Sequence, residues 1–275
     1  MRNGVNNLVD YNGRSKGYTI VETMIFLIIS GVLLTISLLF FSGRQQRTQF
    51  TQGVREIEAN VKTIMGEVSS GYYPNNETSF TCTAPASDSV PTLSPGSTKQ
   101  GSNESCIFIG KVLNFDSSEK YTSYTVVGRR IAHVSQQIVS TLDEANPTID
   151  DRIKEVYTMP WGIRATRVVS VKGTANPNRT AVGLIMALGG YTSGGDVISG
   201  AQSSDLLPLG DTFGESFGTL QTKVELMTDS ARRPDKIVVC LVSGGGDRKG
   251  AIVLGGGGKQ MSAESFIDAV PTECD

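Results

Sequence analysis

Four kinds of residue in this 275-residue chain are equipped for chemistry: four cysteines, a scatter of acidic side chains, one histidine, and a lysine beside a glycine run. The cysteines, Cys82, Cys106, Cys240 and Cys274, allow three connectivities as disulfides. Pairing of sequence neighbours, Cys82–Cys106 and Cys240–Cys274, is the expected one, and on a chain-entropy estimate the first loop contributes about 3.5 kcal/mol. Zinc is the rival use of four thiols, but there is no C-x-x-C spacing and only His133 could assist. Residues 254–260 (LGGGGKQ) invite comparison with a phosphate-binding loop. Val253 stands where G-x-x-x-x-G-K needs its first glycine and Gln260 replaces the Ser/Thr that would meet a metal, so a hairpin or loop is expected. Asp196, Asp205, Asp211 and Glu215 could offer oxygen to calcium, but their spacing is not that of a calcium loop, and solvated loop acids are the default. Asp150 and Asp151 are expected to open or cap a helix. His133 falls on the apolar stripe Ile131, Val134, Ile138 and Leu142 of a short expected helix, which points to a structural role. The sequons at Asn76, Asn103 and Asn178 mark polar loops. No nucleophile–base pair is readable, so neither an enzyme nor a cofactor is indicated, and no metal site is assigned.

The elements that position these residues follow from how unevenly the apolar residues are spread. Overall, 25 Lys and Arg stand against 27 Asp and Glu, a net charge of −2. That leaves no excess of cations to displace counterions from phosphates, and no direct nucleic-acid site is expected. A hydrophobic content of 39% rules out wholesale disorder. Between Glu22 and Arg44 there is no charge at all: residues 23–43 (TMIFLIISGVLLTISLLFFSG) form a run of 21. As a helix this run is about 31 Å long, the thickness of a bilayer's hydrocarbon core. It is apolar all round, unlike an amphipathic surface helix. A cleaved secretory signal would have a shorter apolar region and a small-residue cleavage site, whereas Arg44, Gln45, Gln46 and Arg47 follow here. Residues 1–17 carry Arg2, Arg14 and Lys16 against Asp10. Positive charge ahead of a span keeps that end cytoplasmic and sends the remainder across. Glu22 sits at the mouth of the run, where a carboxylate facing lipid alone costs up to a few kcal/mol. It is either solvated at headgroup level or meets a cation when the helix packs beside others.

The stretch Gly17-Tyr18-Thr19-Ile20-Val21-Glu22, between a short basic leader and an apolar helix, resembles the prepilin cleavage and methylation motif of type IV pilins and of the pseudopilins of type II secretion and competence systems. The resemblance covers about residues 16–43. It implies a membrane-embedded prepilin peptidase that cuts after Gly17 and methylates the new amino terminus at Tyr18. Glu22 then becomes the fifth mature residue, where the family places a glutamate thought to pair with the N-terminal ammonium of a neighbouring subunit. Opposite charges attract strongly at low dielectric, and each alone is costly there. Tyr18 replaces the commoner Phe. The partners implied are other pilin subunits in a homo- or hetero-polymer, the peptidase, an inner-membrane assembly platform and membrane lipid. The implied location is a single pass of the inner membrane with the N-terminus inside, then an extracellular or periplasmic filament. What remains after a cut at Gly17 is larger than common major pilins, which points to a minor subunit. The alternatives are a secretion or competence pseudopilin, and a single-pass anchored exported domain that never polymerises.

Beyond residue 43 the pattern becomes periodic. Phe50, Val54, Ile57, Val61, Ile64 and Val68 make one helical stripe, with Arg55, Glu56, Glu58 and Lys62 on other faces. Gly71 and Pro74 supply a stop. Gly31, Gly43 and Gly53 are the expected weak points of this helix, each costing about 1 kcal/mol relative to Ala. Strands are expected over 107–115, 121–129, 168–172, 180–188, 220–227, 237–242 and 251–254, and a second short helix over 262–269. The fold class expected is α+β: a long N-terminal helix, half membrane-spanning and half amphipathic, packed on a mostly antiparallel β-rich domain. The division is a leader (1–17), a transmembrane assembly helix (18–43), an amphipathic extension (44–71) and an exported domain (72–275).

Overall fold

The computed structural model describes residues 17–71, 80–85, 89–96, 105–116, 119–175, 177–186, 204–224, 233–255 and 261–274. The chain divides into two compact units, Met1–Thr48 and Gln49–Asp275. Helix α1 (Ile20–Ser70) starts in the first and ends in the second.

In the first unit, Ile20–Ser37 has a mean hydropathy of 2.2 and none of it is buried. By length and composition it is a candidate membrane span. Three of its hydroxyls bond to the helix's own backbone: Thr23 Oγ1 donates to Ile20 O (2.9 Å), Thr35 Oγ1 to Val32 O (2.8 Å) and Ser37 Oγ to Leu33 O (2.8 Å). That is how hydroxyls are accommodated where no water competes.

The second unit is α+β, with antiparallel sheets throughout. β1 (Phe80–Thr83) and β2 (Thr92–Pro95) form a two-stranded ribbon. One five-stranded sheet runs β5-β4-β3-β8-β9, built from β3 (Cys106–Phe115), β4 (Lys120–Arg129), β5 (Thr148–Thr158), β8 (Ala181–Met186) and β9 (Ser204–Leu209). The other runs β12-β11-β10-β6-β7, from β6 (Arg164–Val171), β7 (Asn178–Arg179), β10 (Lys236–Val242), β11 (Lys249–Gly255) and β12 (Ser262–Ile267). Two short α-helices, α2 (Leu142–Ala145) and α3 (Phe217–Lys223), accompany the sheets among the described residues.

The stripe on α1 is a burial pattern. Phe50, Val54, Ile57, Val61, Ile64 and Val68 are each at most 2% exposed and share one core cluster with Leu113, Phe115 and Tyr121 of one sheet and Val168, Ile237, Val239 and Leu241 of the other. β10 is apolar on consecutive residues because both its faces are covered. Ile237, Val239 and Leu241 face that core, whereas Val238 and Cys240 join Val169, Val171 and Ala251 in a separate cluster packed by Val270 and Cys274. The Glu58–Lys62 pair forms at 2.5 Å.

Several local expectations are overturned. The alternation at 220–227 is not a strand: Leu220 and Val224, both fully buried and four apart, lie on one face of α3 and the turn that ends it, and Ser216 caps the helix's N-terminus. Residues 225–227 lie outside the described residues. No helix spans 131–142. Ile131 and Ile138 bridge as an antiparallel pair around a turn, and helix begins only at Leu142. Residues 262–267 are strand β12, because pairing with β11 from Gly255↔Ser262 to Gly250↔Ile267 outweighs the weak helix preference of Ser-Ala-Glu. Asp150 and Asp151 cap no helix; they lie in β5, paired with Arg152 and Lys154.

Gly53 is also not a weak point. A Cβ there would stand 2.5 Å from Ile163 Cδ1 and 3.0 Å from Trp161 Cδ1, so the missing side chain lets α1 approach the Pro160–Gly162 turn. Gly66, on the same helix, is exposed with nothing near its Cβ position. Gly53→Leu should therefore destabilise the second unit by about 1–3 kcal/mol through overpacking. Gly66→Ala should stabilise it by roughly 0.5–1 kcal/mol. Denaturant midpoints of the two full-length variants in detergent test the opposite signs.

Candidate functional site

Gly17, Tyr18 and Thr19 lie just ahead of α1 in non-helical backbone, and Tyr18 is 80% exposed. Thr19 is the residue before the helix, and its Oγ1 accepts from the Glu22 backbone N–H at 3.3 Å, while Thr23 N–H donates to Thr19 O at 3.1 Å. Thr19-x-x-Glu22 is thus an arm of a capping box, a signal that was present in the sequence as T-x-x-E and was missed. Glu22 is exposed in the first helical turn, where its negative charge also complements the helix dipole. Gly17, Tyr18 and Glu22 are so brought within one extended step and one turn of each other, immediately before the apolar run.

The cysteines pair as Cys82–Cys106 and Cys240–Cys274, with Cα–Cα distances of 6.1 and 5.5 Å. The first ties β1 to the start of β3. The second ties the buried centre of β10 to the C-terminal turn Thr272–Cys274, which Lys236 also holds through Glu273 at 2.9 Å. That ion pair, with a backbone amide, keeps the Glu273 carboxyl below its ordinary range. With its cysteines separated by 34 positions, the second bond contributes about 3.8 kcal/mol on the chain-entropy estimate. Replacing Cys240 and Cys274 together by serine should cost most of that, read as a lowered denaturation midpoint that added reductant does not lower further in that loop.

The acidic residues meet cations of the chain itself. Lys223 Nζ lies 2.9 Å from Asp211 Oδ2 and 2.9 and 3.0 Å from the two Glu215 oxygens. Glu215 Oε1 also accepts the Asp211 and Thr212 N–H groups at 2.9 and 3.0 Å. Burial opposes the charge of Glu215, but these donors more than offset it and hold its carboxyl below the ordinary range. Asp205 pairs with Arg233 at 3.0 Å. Lys223 thus neutralises Asp211 and Glu215, and Asp205 belongs to a separate pair. Asp196 and residues 256–260 of the glycine run lie outside the described residues, as do Asn76 and Asn103. Among the described residues no group of three His, Cys, Asp or Glu is placed to hold a metal.

Two features had no signal in the sequence. Lys111, on β3, is 1% exposed and bridges Glu67 of α1 (2.6 Å) and Glu155 of β5 (2.9 Å); Tyr157 donates to the same Glu155 oxygen at 3.0 Å. Burial and the Glu155 charge push the Tyr157 hydroxyl well above its ordinary value. Sequence showed only isolated charges at three distant positions. The other is a cavity of about 260 Å³ lined by Ala84, Pro85, Ser105, Arg129, Ile131, Ala132, His133 and Gln136. His133 is exposed there rather than packed in a helix.

Comparison with protein-family models, with curated proteins and with solved structures finds no match to this chain.

Proposed function

We propose that this chain is a structural subunit, of the minor kind, of a type IV pilus-like filament. It is made with a leader over residues 1–17, inserted once in the inner membrane, cut after Gly17 by a prepilin peptidase, N-methylated at Tyr18 and polymerised through its N-terminal helix. The observation that carries this reading is the join of Gly17-Tyr18-Thr19-Ile20-Val21-Glu22 to an all-round apolar, unburied helix. An exposed, non-helical Gly17-Tyr18 bond supports it, because a peptidase needs backbone that a helix would withhold. The apolar surface of Ile20–Ser37 has no use in water, but it suits lipid before assembly and neighbouring helices after it. Two disulfides agree with an exported domain in an oxidising compartment. The second unit, Gln49–Asp275, is on this reading the part displayed outside the membrane, with the stripe from Phe50 to Val68 joining the long helix to it.

Mass spectrometry of the N-terminus, on chain purified from the native host, is the test. A chain beginning with N-methylated Tyr18 is expected. Intact Met1 in the working pool overturns the filament reading and leaves an anchored domain that does not polymerise.

A further inference from the structure

A lysine amine is a nucleophile once it loses its proton, and Lys111 is placed where that proton has somewhere to go. It is 1% exposed, with Nζ 2.6 Å from Glu67 Oε2 and 2.9 Å from Glu155 Oε2. The two carboxylates are not equivalent. Glu67 is the nearer proton acceptor. Glu155 Oε2 also accepts the Tyr157 O–H at 3.0 Å, and such a donor draws negative charge off the carboxylate and makes its carbon more electrophilic. Tyr157 is held there by stacking on Tyr121, with ring centroids 5.0 Å apart, and Tyr121 stacks in turn on Phe115.

Lys111 and Glu155 stand on the strands either side of β4 and on one face of the sheet. Lys111 pairs with Thr125 and Glu155 with Ser123, two residues further back along β4. Thr125 and Ser123 are buried and small, so the two longer side chains meet above them. Among the described residues Ser123 Oγ, on that same face, is buried with no hydrogen-bond partner. Ion pairs overhead leave this hydroxyl unsatisfied, whereas a neutral amide would bring both a donor and an acceptor to the face.

We infer that Lys111 and Glu155 condense to an amide, a covalent cross-link between β3 and β5, with Glu67 and Tyr157 as its catalytic residues. Glu67 takes a proton from the Lys111 ammonium, and the freed electron pair of Nζ attacks Glu155 Cδ. The negative charge that develops on Oε2 meets the Tyr157 O–H. Two protons leave the nitrogen in all and pass through Glu67 to Glu155 Oε1, which departs as water; the C–Oε1 bond breaks and one N–C bond forms. One positive and one negative charge vanish together, and Glu67 ends as the carboxylate it began as. Groups held in contact react at effective molarities of up to about 10⁵–10⁸ M, far above that of the water released. The product also relieves the core of a buried ion pair, whose desolvation is costly. A carboxylate is a poor electrophile, so the newly folded chain holds the ion pairs and the amide follows slowly. The cross-link does not rest on the filament reading.

The test is peptide mass spectrometry of full-length chain purified from the native host, reduced, alkylated and digested with trypsin. The Lys111 and Glu155 peptides are expected joined, at the sum of their masses less one water. Lys111→Arg, which keeps the cation, should lose the joined pair. In chain pulse-labelled in the host, Glu67→Gln should slow joining by about 10²–10⁴-fold, and the milder Tyr157→Phe by about 10²–10³-fold. Separate Lys111 and Glu155 peptides throughout the wild-type sample overturn the cross-link. A pair joining Lys111 to Glu67, or joining at the wild-type rate in both slowed variants, overturns the roles assigned here. The same digest yields the N-terminal peptide, so the cross-link and the filament reading are read separately.

Discussion

On the proposed filament reading, Glu22→Ala should leave the chain in the membrane and remove it from filaments. The apolar run that holds the span contains no part of Glu22, so partitioning into membrane fractions should be unchanged. The structural role that Glu22 has in the isolated chain is small. It lends a first-turn charge worth about 0.3–1 kcal/mol, and the Thr19 cap accepts from its backbone N–H, which alanine retains. Against a helix of 51 residues this cannot prevent folding. In an assembled filament the same carboxylate would pair with the ammonium of a neighbour at low dielectric. Removing one member of a buried pair costs about 3–5 kcal/mol, which corresponds to a loss of at least roughly a hundredfold in incorporation. Quantitative immunoblots of sheared and membrane fractions read the two effects separately. Glu22→Gln, which keeps shape and capping but not charge, should behave as the alanine variant does. Normal incorporation of either variant would refute the ion pair.

The second large effect is expected at Lys111. Its ammonium is almost wholly buried between Glu67 and Glu155, which are 20% and 23% exposed, and it fastens α1, β3 and β5 at one point. Lys111→Ala removes the cation and leaves two carboxylates facing each other. The loss for a fully buried pair is about 3–5 kcal/mol. Partial hydration of both glutamates lowers the expectation here to about 2–4 kcal/mol. Urea titration should show a lower midpoint at unchanged slope. Lys111→Met combined with Glu67→Gln and Glu155→Gln should recover much of the stability, because removing all three charges together leaves no uncompensated charge at the site. If Lys111→Ala alone proves neutral, the network does not fasten the helix.

Legibility tracked the range of the interactions. The span, the stripe from Phe50 to Val68 and the central strand at 237–242 were readable because each is set by local periodicity or by continuous burial. Three short elements are read in the wrong class, 131–142, 220–227 and 262–269, and in the last two it is the partners that decide. Thr222 alternates correctly but is exposed, and only Leu220 and Val224 meet the core. Ser262–Ile267 becomes a strand because β11 lies beside it. β5 was missed because an edge strand rich in Asp, Arg, Lys and Glu has no apolar alternation to show. Of the candidate site, Gly17, Tyr18, Glu22 and the cysteines are visible as residue types at fixed spacings. The Lys111 network and the Trp161 turn are not, because positions far apart in the chain meet only after folding.

The two covalent loops also have a mechanical meaning. Under a pulling force on its ends, a chain yields length only from segments free to straighten, at about 3.3–3.6 Å per residue. Cys82–Cys106 withholds a stretch of 24 residues and Cys240–Cys274 one of 34. At full extension these would give roughly 80 and 115 Å. A subunit loaded in tension keeps that contour in reserve, and the shortfall between observed and full extension in a single-molecule pull would report both loops. Reductant should return it as two discrete increments in that ratio.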